Sequence, residues 1–344
     1  MEQEFVSKVN SSGCYVIAEA GLNHNGSINI AKKLIDLAAK SGVDAVKFQK
    51  RSVDSLAIRD TLDAEDNRFP EFGKTYRQIR EYLEFDKEEY KELKSYSESK
   101  GLDFLCTAFD IEAVDFLENL GVLAYKLASH SLTNIPLLEY LSKIGKPTFL
   151  STGMASLEEI DTAVNIFKNN NCTLFLFHCV SSYPTPLNDC NLNAINTLAS
   201  RFNMPVGYSG HEIGFLPTLT AVSMGASIVE RHFTLDKSMV GFDHALSLEP
   251  NELISMVQDI RNIAIIKGDG KKIVSEVEMM TRDKYHVSMV SSQCIASGDV
   301  LTKDMVNYRN PGTGIAYKNA NIILGKRAKN SISEDVLLNE DMFK

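Results

Sequence analysis

Apolar residues in the first 233 positions fall into eight short runs, and almost every run ends on polar residues. In order they are YVIAEAG (15–21), AVKFQ (45–49), FLCTAF (104–109), AYKLAS (124–129), TFLSTGM (148–154), LFLFHCV (174–180), PVGYSGH (205–211) and SIVERHF (227–233). Continuous apolar runs of this length, separated by amphipathic helical stretches, read as parallel strands buried on both faces. Eight such units predict an α/β fold, a closed (β/α)8 TIM barrel, in which the C-terminal strand ends gather around one cavity. Those ends carry Glu19, Lys47 with Gln49, Thr107, Lys126 with Ser129, Ser151, Ser181, Ser209 with His211, and His232.

The connecting stretches support this reading. Ile30, Leu34, Ile35, Leu37 and Ala38 form a helical stripe that ends at Gly42, a natural helix stop. Asp86 with Glu89, and Ser156 with Glu159, have the spacing of capping boxes. Residues 51–85 break the pattern with mixed charge and the aromatics Phe69, Phe72, Tyr76, Tyr82 and Phe85. They read as an elaborated connection after the second strand, which either covers the cavity or pads the surface.

Beyond the barrel, expected over 1–270, KGDGKK (267–272) has the composition of a helix exit, and 271–283 reads as a linker. The remainder, 284–344, contains an internal echo: IASGDVLTKDMV (295–306) and ISEDVLLNEDMF (332–343). Two copies of a turn and short helix predict a small pseudo-symmetric domain. About 60 residues is little for independent stability, so docking on another surface is expected.

Composition narrows the class. The chain of 344 residues exceeds the ~250 of a single barrel, leaving room for that extra domain. No apolar run approaches the ~18 residues of a membrane span, and MEQEFVSKVNSSG lacks the pattern of a secretory signal. Six scattered cysteines without a CxxC pair read as reduced, mostly buried thiols of a cytoplasmic protein. A net charge of −9 disfavours nucleic acid, and it requires that any anionic substrate be captured by a local basic pocket.

The strand ends supply candidates for that pocket. Lys47 and Lys126 would point into a cavity where a charge is costly unless compensated, amid the hydroxyls of Thr107, Ser129, Ser151 and Ser209. Set against Glu19 alone, the two lysines leave a positive surplus suited to a phosphate or carboxylate; a structural ion network is the competing reading. Glu19 itself is either a general base, a water or sugar ligand, or a structural counter-charge. His211 and His232 end neighbouring strands and could hold a divalent ion with open positions for substrate, or be hydrogen-bonded core histidines. The loop LNHNG (22–26) is too short to interpret alone.

Seven segments in order, AEAGLNHNGS (18–27), AVKFQ (45–49), YKLAS (125–129), LSTGM (150–154), SSYPTP (181–186), GYSGHE (207–212) and ERHFTLDK (230–237), resemble the sialic acid synthase family nearly end to end. The tail with NPGTGI (310–315) resembles that family's antifreeze-like (SAF) domain. The resemblance implies a carbon–carbon bond-forming transferase that condenses phosphoenolpyruvate with an open-chain N-acylmannosamine-type sugar and releases phosphate. It implies phosphoenolpyruvate ligands at Lys47, Thr107, Lys126, Ser129, Ser151 and Ser209, with Ser181 nearby. It also implies Mn2+, or Mg2+ or Co2+, on His211 and His232, and sugar or reacting-group contacts from Glu19, Gln49, Tyr183 and Asp243. A homodimer is implied as well, in which the tail of one chain covers the barrel of the other.

The chain departs from the family pattern in three places. Ser131 stands where many members have an acid, and Ser181 where bacterial members often have Asn. Asn310 holds the place of an arginine before Pro-Gly, with Arg309 one position earlier. The acceptor sugar, and whether it is phosphorylated, therefore stays open, as does a different phosphoenolpyruvate-dependent aldose condensation. A non-catalytic sugar- or ice-binding protein would have no use for Lys47, Lys126, His211 and His232 together.

Overall fold

The computed structural model describes residues 2–344. The chain divides into two units, Met1–Gly268 and Asp269–Lys344. In the first, eight parallel strands close into a barrel in sequence order. They are β1 (Tyr15–Gly21), β2 (Ala45–Lys50), β3 (Asp103–Ala108), β4 (Tyr125–Leu127), β5 (Thr148–Ser151), β6 (Leu174–Cys179), β7 (Val206–Gly210) and β8 (Ile228–His232). Helices follow the strands, which makes this unit a (β/α)8 TIM barrel.

Alternation along each strand divides its residues between two cores. Val16, Ala18, Val46 and Phe48 face outward into a large cluster shared with the surrounding helices. Tyr15, Ile17, Ala45, Leu105, Phe149, Phe175 and Phe177 fill the barrel interior, and Phe5 and Val9 of the helix Glu2–Ser11 join that inner cluster. Phe149 stacks on Phe175 with ring centroids 4.9 Å apart, so truncating it to alanine would cost about 3–5 kcal/mol. Farther along the strands the interior turns polar. Glu19 sits in register with Lys47 on one side and His232 on the other; Thr107 pairs with Lys126, and Ser209 with Glu230.

The helix punctuation is as the spacing predicts. Ile28–Ser41 stops at Gly42, whose φ of 75° is the left-handed conformation glycine adopts without strain. Both capping boxes form, at Asp86 with Glu89 and at Ser156 with Glu159. The stretch 51–85 carries short helices at Val53–Leu56, Arg59–Leu62 and Tyr76–Leu83. Ile79 and Leu83 are buried with Leu22 and pack against Phe72 and Phe242, so the stretch is anchored on the loop after β8. Among the described residues no helix is long and apolar enough to cross a membrane. All six cysteines are free, and only Cys294 is exposed.

The second unit has its own core, including Met289, Ile295, Leu301, Ile323, Ile332, Leu338 and Phe343. The segment 271–283, read as a linker, is partly helical, at Glu276–Tyr285, and belongs to this unit. Ser288–Ser291 and Val306–Arg309 pair antiparallel. The sequence echo is an echo of backbone bonding. Ile295 donates to the Ile332 carbonyl at 2.9 Å, and Ile332 returns the bond at 2.8 Å. Ser292 bonds to Met305 as Lys329 bonds to Met342, and short 3-10 turns recur at Lys303–Met305 and Glu340–Met342. Gly298 donates to Ala328 as Asp335 donates to Ser291, and both residues have positive φ, 89° and 63°.

Candidate active site

The polar level of the barrel opens into a cavity of about 350 Å3. Of the residues expected at a site, Glu19, Lys47, Gln49, Thr107, Lys126, Ser129, Ser151, Ser181, Tyr183, Ser209, His211, His232 and Asp243 all line it. Arg309 belongs to the second unit, where its guanidinium meets Asp335 at 2.6 Å.

On the floor of the cavity, Lys47 is buried 2.8 Å from a Glu19 carboxylate oxygen and donates to the Thr107 hydroxyl at 2.8 Å. Gln49 donates to the other Glu19 oxygen at 2.7 Å and accepts a bond from Arg51. Lys126 donates to Ser151 at 2.6 Å and to the Leu127 carbonyl at 3.0 Å. Its nearest carboxylate, Glu230, is 3.9 Å away.

Glu230 corrects the charge count made from the sequence. It is a second buried carboxylate, 3.6 Å from Lys47 and accepting a bond from Ser209 at 3.2 Å. Burial alone would raise its pKa, but Lys126 and Lys47 outweigh that and hold it well below the ordinary value. Lys47, with two acids beside it, has its pKa raised although burial opposes this. Lys126 has its pKa lowered by burial, with Glu230 only partly offsetting the loss and Lys47 adding to it. The two lysines are therefore not equivalent: Lys47 is satisfied within the protein, and Lys126 is the undercompensated cation. The positive surplus over the floor comes instead from Arg51 and Arg80, which also line the cavity.

A signal for Glu230 was available in the sequence. It lies two residues before His232 on the same strand, so alternation alone places both inside the barrel. Arg51 stands likewise two after Gln49. Nothing in the local pattern pointed to Arg80.

Serines crowd the other wall of the cavity. Gly153 donates its backbone N–H to Ser129 at 3.0 Å, and a Cβ there would lie 2.3 Å from the Ser181 hydroxyl. A side chain at position 153 would therefore have to displace both serine hydroxyls.

His211 and His232 face each other with ring centroids 5.5 Å apart. The Nδ1 of His211 lies 2.9 Å from the Val180 carbonyl, which can only accept, so Nδ1 carries the proton and Nε2 keeps its lone pair. Burial, then the neighbouring His232, lowers its pKa to about 3, which keeps the imidazole neutral as a metal ligand must be. The Nδ1 of His232 is buried with no hydrogen-bond partner, and an Asp243 carboxylate oxygen is 3.8 Å from it. An orphaned ring nitrogen facing the neutral imidazole of His211 fits a metal. Among the described residues no cluster of three or more His, Cys, Asp or Glu is gathered for an ion, so the donor set would be two imidazoles completed by water or substrate. Tyr183 lies against His211 at 4.0 Å between centroids. Behind the histidines, their chain neighbours Glu212 and Arg231 form a buried ion pair at 2.6 Å, which ties the ends of β7 and β8 together.

A parallel barrel with a charged cavity at its C-terminal face defines an enzyme scaffold, and comparison with known proteins identifies the class. The chain belongs to the NeuB family, whose sequence profile matches residues 34–272. It is 38% identical to the N,N'-diacetyllegionaminic acid synthase of Legionella pneumophila, over 95% of this chain and 94% of that one. It is 35% identical to the N-acetylneuraminate-9-phosphate synthase of Homo sapiens, over 96% and 92%. The crystal structure of the N-acetylneuraminic acid synthetase from Leptospira borgpetersenii serovar Hardjo-bovis, in complex with citrate, superposes with a TM-score of 0.67 at 39% identity, covering 78% of this chain and 90% of that one. Its homologues are thus synthases of sialic-type acids.

Proposed function

We propose that this protein condenses phosphoenolpyruvate with the open-chain form of an N-acylmannosamine-type sugar, giving a nonulosonic acid and inorganic phosphate. The observation that carries the reading is Lys126: a buried ammonium, held by Ser151 and a backbone carbonyl, whose nearest carboxylate is 3.9 Å away. A dianionic substrate supplies the missing counter-charge, and Ser129, Ser181, Ser209 and Thr107 supply hydroxyl donors around it.

In this reading C3 of phosphoenolpyruvate forms a bond to the aldehyde carbon of the sugar, water adds at C2, and phosphate leaves with its bridging oxygen by C–O cleavage. Glu19 and Gln49 sit where they can orient a sugar hydroxyl or the attacking water, and Glu19 is held in place by Lys47. Tyr183 and Asp243 border the position of the aldehyde. His211 and His232 would hold a divalent ion, Mn2+ with Mg2+ or Co2+ as substitutes, which when bound supplies Lewis acidity toward a carbonyl oxygen.

We further propose, from the family resemblance, a homodimer in which the second unit of one chain closes the cavity of the other, with Arg309 exchanging Asp335 for the sugar. A monomer in solution with full activity after removal of 284–344 is incompatible with that arrangement. The test of the reaction itself is release of phosphate from phosphoenolpyruvate with a panel of hexosamines and Mn2+. Release that depends on an N-acylmannosamine supports it, and no release with any aldose refutes it.

A further inference from the structure

The loop LNHNG (22–26) after β1 directs both of its asparagines at the loop after β8. Asn23 is buried, and its Nδ2 donates to the Phe233 carbonyl at 2.8 Å and to the Ser247 hydroxyl at 2.9 Å. Ser247 donates that hydroxyl to the Asp243 carbonyl at 2.6 Å, and its backbone N–H reaches the same oxygen at 3.2 Å. The Nδ2 of Asn25 donates to the Val240 carbonyl at 2.8 Å, which turns Oδ1 toward the Nε2 of His244 at 3.2 Å. An amide oxygen only accepts, so Nε2 carries the proton. The Nδ1 of His244 then meets the Thr234 hydroxyl at 2.7 Å.

These bonds bracket Asp243. Its carbonyl is tied through Ser247 to Asn23, and the buried ring of the next residue, His244, is held between Asn25 and Thr234. The packing is close: a Cβ at Gly241 would lie 2.7 Å from the His244 ring and 2.9 Å from Oδ1 of Asn25.

Neither asparagine lines the cavity, whereas Asp243 does. Its carboxylate lies 3.8 Å from the Nδ1 of His232, the ring nitrogen that is buried without a hydrogen-bond partner. His232 is fixed by its strand, in register with Glu19. Asp243 lies beyond the strand end, where no ladder sets its level, so the side chains of the β1 loop do that work. A carboxylate at this point supplies the negative charge that two neutral imidazoles lack. Groups that orient the surroundings of a metal site in this way commonly alter its affinity 10–100-fold when removed.

We infer that Asn23 and Asn25 are positioning residues, acting through Ser247 and His244 to hold the Asp243 carboxylate beside the His232 nitrogen. The inference rests on the metal assignment proposed above. It is tested by titrating the full chain, without substrates, with Mn2+ and following the free ion by paramagnetic resonance. Asn25→Gly keeps the left-handed backbone at this position, where φ is 49°, and removes only side-chain contacts, so it should fold. It should bind Mn2+ about 10-fold more weakly. Ser247→Ala, which deletes a single hydroxyl, should weaken binding about 3-fold. Asp243→Asn should cost at least as much as Asn25→Gly, and adding Asn25→Gly to it should change the affinity by less than about 2-fold. A merely structural role would carry the Asn25→Gly loss undiminished onto the Asp243→Asn background. That result, or native affinity in both Asn25→Gly and Ser247→Ala, overturns the inference. A native chain that takes up no Mn2+ refutes the metal assignment and this inference with it. The expected pattern in a protein that releases no phosphate from phosphoenolpyruvate would support the inference while refuting the proposed reaction.

Discussion

Glu19 and Lys47 are register partners on adjacent strands, and their charges meet 2.8 Å apart inside the barrel. Because strands in a parallel barrel hold their neighbours at a common level, the pair is built by backbone geometry rather than by side-chain search. Glu230, 3.6 Å from the same ammonium, makes Lys47 the hinge of a three-charge set.

Lys47→Met should therefore leave two buried carboxylates without their closest cation and lower stability by about 3–5 kcal/mol in urea unfolding. Adding Glu19→Gln to that variant should recover part of the loss. A double variant less stable than Lys47→Met would mean the charges are not coupled.

Lys126→Ala should weaken phosphoenolpyruvate binding by about 2–5 kcal/mol in calorimetry, since it removes the cation that the protein itself undercompensates. Unchanged affinity would place the anion site elsewhere.

Chelation should abolish phosphate release, and Mn2+ should restore it. His232→Ala should lose Mn2+ binding by direct titration while retaining the fold, because its Nδ1 makes no hydrogen bond within the protein. Full turnover by a metal-stripped sample would falsify the assignment.

His24, in the loop after β1, is buried against Phe85 at 4.3 Å between ring centroids, and its Nδ1 accepts the Gly26 N–H at 3.1 Å. Burial, then Arg51, lowers its pKa to about 3. The unfolded chain binds a proton there below about pH 6.5, whereas the folded chain does so only near 3, so unfolding takes up a proton throughout that window. Stability should fall as pH falls through it, with His24 contributing up to about 1.4 kcal/mol per pH unit. Urea titrations at pH 7, 6 and 5 should show a shallower slope for His24→Gln than for the native chain, and parallel curves would rule this out.

Asp335→Gly should stabilise the second unit by about 0.5–1 kcal/mol, because Asp335 holds the left-handed conformation that glycine occupies at the equivalent Gly298. The substitution also removes the ion pair with Arg309, which is solvent-exposed and contributes little. A lower midpoint in thermal unfolding would show that the ion pair outweighs the backbone.

Most of the barrel was legible because its signal is local: a strand buried on both faces must be apolar throughout, and the residue that ends it enters the cavity. Features that depend on distant parts of the chain leave no such local signal. The helix Glu2–Ser11 buries only Phe5 and Val9, too few to mark a face. Glu230 sits inside an apolar run, and only counting by twos from His232 exposes it. Arg80 reaches the cavity because Ile79 and Leu83 pack beneath Phe242, more than 150 residues away in sequence, and no local pattern encodes that packing.

Ile295 and Ile332 each complete the other's backbone, so neither half of the second unit has a full set of partners alone. The two halves of the second unit therefore form together or not at all, since each is complete only with the other's backbone in place.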